Sequence, residues 1–429
     1  VSLTLPKISI PLIIGTIVFI ILGFLILFPS WKLVETSLVR DKVITLANYI
    51  EVFKDPANMN ALKNSMFVAL FGSLGATVLG VAVAWLLART DVPNKKLWQA
   101  LVIVPYLIPP FIGAIAWVYL FGPVGFINKL WMSIAQTTQP LVSLYGKWGI
   151  VFVMTFYSFP IPYMMTLGPL RQMNPSLEEA ARISGASVAR TIKDIVLPLM
   201  MPSIGGGFML VFMSLMANFG IPAVIGMPAR YQVLTTRIYL TILNYDKPYN
   251  LALSAALSML LVIIAVLFSS LQSRLQKGKS YAIISGKSSQ PQLVILGKWK
   301  PVAIIFLSLL VIFVVILPLG GIALTALTRA LGVPLTLENL TFNNFRMAII
   351  GVEKSARAIR NSILLASGAA TLIVLISFVL SYLIVRLRIK TGRLIESVIL
   401  LPYAVPGTVV ALALILAFLR PLPIVNVTL

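Results

Sequence analysis

Cysteine and histidine are both missing from the 429 residues. Without them there are no disulfides, thiol nucleophiles, Cys/His zinc sets or imidazole proton relays within this sequence. Acids are scarce as well: 12 Asp and Glu face 34 Lys and Arg, a formal charge of +22. They are Glu35, Asp41, Glu51, Asp55, Asp91, Glu178, Glu179, Asp194, Asp246, Glu338, Glu353 and Glu396, and each is expected in a loop or at the end of an apolar run. Proton- and sodium-driven carriers place ionisable or coordinating groups at membrane depth, so a self-energised secondary carrier is the weaker reading. A membrane enzyme would have only carboxylates to work with, none paired in an apolar run. No catalytic residue, metal site or bound cofactor is therefore expected on this chain.

The chain is instead rich in long apolar runs. Hydrophobic residues make up 59% of it and charged residues 11%, and the mean hydropathy is +0.99. That is more apolar surface than a soluble globule buries, which predicts an all-α, multi-pass membrane protein. The basic residues are scattered through loops beside the apolar runs and are not interleaved with aromatics. They suit anionic lipid headgroups and argue against nucleic acid.

About 20 apolar residues cross a bilayer. On that measure spans are expected over 12–28, 66–88, 100–121, 149–170, 203–226, 251–272, 302–327, 363–385 and 398–419. Phe126, Leu130, Trp131 and Ile134 share one face of a short interfacial helix over 125–136. The Lys and Arg distribution places loops 89–98, 171–201, 272–300 and 386–394 in the cytoplasm.

One offset recurs through the sequence. Asn64-Ser65, Ala69, Leu86, Arg89, Pro105-Tyr106 and Pro109 reappear without a gap as Asn361-Ser362, Ala366, Leu383, Arg386, Pro402-Tyr403 and Pro406. Two tandem helical bundles are expected: a first half over 1–272, a cytoplasmic linker over 273–300 rich in Gly, Ser and Gln, and a second half over 301–429 holding about three spans. The native chain is then expected to continue past residue 429. Within the linker, Gly278-Lys279-Ser280 and Gly286-Lys287-Ser288 lack the earlier glycine of a phosphate loop, because Ser273 and Tyr281 stand there. ATP hydrolysis is not expected on this chain.

Pro105-Tyr106 with Pro109, and Pro402-Tyr403 with Pro406, interrupt the third and ninth spans. Prolines free carbonyls that hydrocarbon tolerates only beside a cavity or packed protein. These positions are candidates for pathway hinges or for plain packing kinks. Asn218, a polar group inside the fifth span, suits either a substrate contact or a bond between helices.

The most informative stretch is the polar island at 175–202, PSLEEAARISGASVARTIKDIVLPLMMP. Pro175 and Ser176 start a short helix, with Glu178 and Glu179 in its first turn, and Gly185 breaks it before a second helix that ends at Pro198. Glu179-Ala180-Ala181, Gly185, Ile195, Leu197 and Pro198 have the spacing E-A-A, three residues, G, nine residues, I-x-L-P. This pattern resembles the EAA loop of ABC importer permeases, and with the repeat the chain resembles their fused two-domain form with a MetI-like fold. The stretch from Asn218 to Gly226 followed by 233–239 is similar to the ferric-iron group, and phosphonate, thiamine and polyamine permeases share much of it. The resemblance implies a multi-pass bacterial inner-membrane permease. It also implies a coupling helix that docks on a cytoplasmic ABC ATPase present in two copies and carrying the ATP and Mg, and an extracytoplasmic substrate-binding protein.

Overall fold

The computed structural model describes residues 10–244, 248–276, 293–333, 335–386, 395, 398–399 and 405–418. The chain begins with α1 (Ile10–Leu38), a two-residue hairpin of β1 (Val39–Arg40) and β2 (Val43–Ile44), α2 (Ala47–Lys54) and the long α3 (Pro56–Arg89). Next come α4 (Lys95–Leu107), α5 (Pro110–Phe121), α6 (Phe126–Ile134), α7 (Lys147–Ser158) and α8 (Pro160–Gln172). The polar island supplies α9 (Pro175–Ile183) and α10 (Val188–Thr191), followed by α11 (Leu197–Met216), α12 (Leu234–Leu243) and α13 (Asn250–Gln276). Beyond 293 lie α14 (Lys300–Val311), α15 (Leu317–Leu327), α16 (Asn343–Arg346), α17 (Glu353–Ser381) and α18 (Gly407–Phe418).

Among the described residues, 8 helical stretches are long and apolar enough to cross a bilayer, compared with nine expected from sequence. The third expected span, 100–121, is not continuous. Its helix stops at Leu107, Ile108 is extended (φ −82°, ψ 131°), and α5 starts afresh at Pro110. The proline ring at 109 disfavours helical geometry in the residue before it, so the break falls at Ile108–Pro109 and Pro105 stays inside α4. The ninth expected span is described only as the 12-residue α18. Glu35, expected in a loop or at the end of an apolar run, lies near the end of α1 and pairs with Lys32 at 2.8 Å.

The core is organised on α3. Its buried Ala61, Ser65, Ala69, Gly72, Ala76, Gly80 and Ala84 recur every three or four residues, a stripe of small side chains that lets α7, α8 and α11 approach closely. A Cβ on Gly80 would lie 2.5 Å from the carbonyl oxygen of Phe159, so α3 and α8 meet there backbone to backbone. The Asn64-Ser65 pair ties α3 to the entry of α12: Asn64 donates to the Gln232 carbonyl at 2.8 Å, and Ser65 Oγ accepts from Leu234 N at 2.7 Å. At the same end, Arg237 binds Asp55 at 2.8 Å and donates to Asn58 Oδ1 at 2.7 Å.

Several local structures recur between the first and second parts of the chain, two of them at the offset read from the sequence. The helical stretches that begin at Pro56 and Glu353 start 297 positions apart, and so do α5 and α18, which begin at Pro110 and Gly407. Upstream, the Asn48 amide donates to the carbonyls of Ser37 (3.0 Å) and Val39 (3.2 Å), while the Asn344 amide donates to those of Ala326 (3.1 Å) and Thr328 (2.6 Å). Thr45 N bonds the Leu38 carbonyl and Thr341 N the Leu327 carbonyl, both at 2.7 Å. Each asparagine thus locks the chain where a long helix ends and a loop begins. The two long helices differ in setting, since 44% of the most apolar window of Pro56–Arg89 is buried against 6% for Glu353–Arg386.

Candidate functional site

The polar island folds as a short helix, a glycine turn and a second helix. Asn174 Oδ1 accepts from Ser176 N at 3.0 Å where α9 begins. At its other end Gly185 takes φ +82° and the Ala186 amide donates to the Ala181 carbonyl at 2.9 Å, the pattern of a left-handed glycine closing a helix. Ser187 Oγ then accepts from Arg190 N at 3.3 Å and caps the next helix.

One face of α9 points away from the protein. Ser176, Glu179, Ala180 and Ile183 are exposed at helical spacing, and Ile183 is 88% exposed. Ala181 is half-buried. Glu178 turns inward and forms an ion pair with Arg89, the last residue of α3; the two are 7% and 1% exposed. Arg89 Nη1 also donates to the Leu170 carbonyl, near the end of α8, at 3.3 Å. A charge this deeply buried is tolerated because it is paired and hydrogen-bonded. α9 is consequently pinned through its inner face to two spans while its outer face stays free for contact. Sequence reasoning put Glu178 in the first turn of this helix but missed its pairing with Arg89. It also missed Ile183, which the spacing from Glu179 could have revealed.

The second helix does not end at Pro198. Residues 192–196 form a wide turn in which Leu197 N bonds the Ile192 carbonyl, five residues back, and the helix then runs on as α11. The widened turn accommodates a proline that has no N–H and whose ring crowds the preceding carbonyls. Val196 and Met200 are buried, Ile195 is half-buried, and Leu197 and Pro198 are exposed.

The pathway candidates do not form one cluster. Pro105 is buried, Pro109 is exposed, and the Tyr106 ring is 41% exposed with its centroid 6.1 Å from that of Tyr157. Asn218 Oδ1 accepts from Ile221 N at 3.0 Å, so this side chain serves the chain break between α11 and the turn after it. Its carbonyl accepts from Thr235 Oγ1 at 2.9 Å. Pro406 is buried at the start of α18, whereas Pro402 and Tyr403 lie outside the described residues. Among the described residues no group of three or more Asp and Glu is placed to hold a metal.

Among the described residues, eight long apolar helical stretches, two of them packed on the small-residue seam of α3, with a charged helix held across the ends of two, define a multi-pass helical membrane protein. The chain belongs to the family of binding-protein-dependent transport system inner membrane components, whose model matches residues 59–281. It is 28% identical over 411 residues to the ferric transport system permease protein FbpB of Actinobacillus pleuropneumoniae, a match covering 95% of this chain. The chain spans 58% of the length of that relative and 62% of a second ferric relative from Haemophilus influenzae. It is 28% identical over 261 residues to the spermidine/putrescine permease PotB of Escherichia coli, covering 58% of this chain and 94% of that protein. Among solved structures, a bacterial ABC transporter involved in import of the acidic polysaccharide alginate matches with a TM-score of 0.50 and 20% identity, over 62% of this chain and 96% of that one. That likeness is one of fold.

Proposed function

We propose that this chain is the permease of an ATP-driven importer and that α9 is the helix through which it engages a cytoplasmic ABC ATPase. The observation that carries the reading is the division of α9 into two faces. Glu178 anchors it to Arg89, and Ser176, Glu179, Ala180 and Ile183 are left facing outward. In this reading hydrolysis belongs to the partner, present in two copies with its ATP and Mg, and an extracytoplasmic binding protein delivers the substrate. The bundle at 1–272 and the segment after 300 act as two related halves, supported by helices that start 297 positions apart, at Pro56 and Glu353 and at Pro110 and Gly407. Pro105, Pro109, Pro402 and Pro406, with Tyr106 and Tyr403, are the hinge candidates of that pathway.

Ferric iron is the proposed substrate, because three ferric-permease relatives match 93–95% of the chain while the polyamine relative matches 58%. The test is reconstitution of the chain with its ATPase and binding protein in vesicles, followed by uptake of labelled ferric iron and of labelled spermidine. ATP-dependent uptake of iron alone supports the assignment. Uptake of spermidine alone moves the substrate to the polyamine class, and failure of any ATPase to copurify removes the importer reading.

A further inference from the structure

Three consecutive residues at the end of α3 hold two separate parts of the chain. The Arg89 side chain carries Glu178 of α9, and the carbonyl of the same residue accepts from Val294 N at 2.7 Å. Thr90 is fully buried and pairs with Val294 as a parallel bridge, and Asp91 N donates to the Val294 carbonyl at 3.3 Å. The Asp91 carboxylate accepts from Leu296 N at 2.9 Å through one oxygen and binds Lys300 Nζ at 2.7 Å through the other. Lys300 is the first residue of α14, the helix that opens the part of the chain beyond the linker.

We propose that Arg89, Thr90 and Asp91 are a positioning relay that ties α9 and the entry to α14 to one post, so that a displacement of α9 passes to the second part of the chain through the fused linker. The proposal rests on the reading of α9 as the docking helix. The relay follows from Arg89 serving both sides: its side chain is 1% exposed and cannot swing into water, so moving Glu178 moves the backbone whose carbonyl holds Val294. Thr90 Oγ1 donates to the Leu86 carbonyl at 2.6 Å, which keeps the post a continuation of α3. Lys300 beside Asp91, followed by the Leu296 amide, holds that carboxyl below its ordinary range, so Asp91 is ionised near neutral pH.

The test is amide hydrogen exchange on the full chain in lipid nanodiscs, comparing the unaltered protein with Glu178→Gln and Asp91→Asn. Glu178→Gln alters no group that touches the linker. It is expected to speed exchange in 293–300 roughly tenfold, about the worth of one well-placed hydrogen bond, and to leave Lys147–Ser158 unchanged. Asp91→Asn is expected to speed exchange within 175–184, which Asp91 does not touch. Unchanged exchange in 293–300 with Glu178→Gln, while α9 itself loosens, overturns the relay. If Glu178→Gln also loosens Lys147–Ser158, the protein has opened globally; Asp91→Asn then decides, and unchanged exchange at 175–184 overturns the proposal. A further arm adds the ATPase. Protection of 293–300 should rise in the unaltered chain and not in Glu178→Gln, and an equal rise in both rejects the relay. An ATPase that does not bind the unaltered chain rejects the docking reading instead, whatever the exchange results without it.

Discussion

Glu178 and Glu179 are neighbours in sequence and opposites in environment. Glu178 is 7% exposed and paired with Arg89, whereas Glu179 is exposed on the outer face of α9. Glu178→Ala would leave the Arg89 guanidinium buried without its carboxylate, a loss of about 3–5 kcal/mol. Glu179→Ala should change stability by less than about 0.5 kcal/mol and abolish substrate uptake. Thermal unfolding followed by tryptophan fluorescence, run beside the uptake assay, separates the two. Equal stability losses would contradict the two-faced helix.

Gly185 has φ +82°, and a Cβ there would have no atom within 4 Å. The Cβ itself meets no neighbour, so the penalty is the left-handed backbone, about 1–2 kcal/mol felt locally. Gly185→Leu is expected to insert at normal levels, to keep the spans folded and to lose transport. Wild-type uptake with normal ATPase binding in this variant would remove Gly185 from the coupling assignment.

Gly80→Ala should act on the bundle. Its Cβ would sit 2.5 Å from the Phe159 carbonyl oxygen and 2.8 Å from Tyr163 N, which forces α3 and α8 apart and costs about 1–3 kcal/mol. Gly205 has nothing within 4 Å, so Gly205→Ala is the matched control and should be close to neutral. The comparison is made by the unfolding midpoint of each purified variant.

The hinge reading of the proline segments is tested with cysteine, which is simple in a chain that has none. Tyr106→Cys and Tyr403→Cys are expected to change their rate of reaction with a small water-soluble thiol reagent when ATP and loaded binding protein are added. Unchanged rates at both positions would leave Pro105, Pro109 and Pro406 as packing kinks.

The Asp91–Lys300 contact carries a pH signature. A carboxylate whose pKa falls on folding stabilises the folded form above its unfolded value and loses that contribution as pH drops through the lowered one. Exchange in 293–300, corrected for intrinsic rate, should therefore be flat between pH about 7 and about 5 and rise only below about 4. A rise that begins near neutrality would show that another group governs the linker.

Much of the architecture was legible in the sequence because hydrocarbon imposes a coarse rule on length and polarity. Seven of the expected spans map onto long apolar helices, and the third failed where a proline at 109 forced Ile108 out of helical geometry. The glycine bend was legible because the left-handed turn at 185 favours glycine. The extent of the second helix was not, since a widened turn over 192–196 absorbs Pro198 and a proline alone signals only a break. Arg89, recurring as Arg386, was visible as a repeated residue, but its partner lies 89 positions away and no periodicity joins them. The role of Asn218 also escaped, because its carboxamide oxygen serves a backbone amide three residues on.

The unbroken passage from α10 through the widened turn into α11 has a mechanical consequence. From Val188 to Met216 the chain is continuously helical, about 43 Å long at 1.5 Å per residue, with Gly185 just before its first residue. Were it to tilt as one body about Gly185, about 5° would carry its far end through nearly 4 Å, on the same helical geometry. That far end lies beside Asn218, whose carbonyl the Thr235 hydroxyl holds.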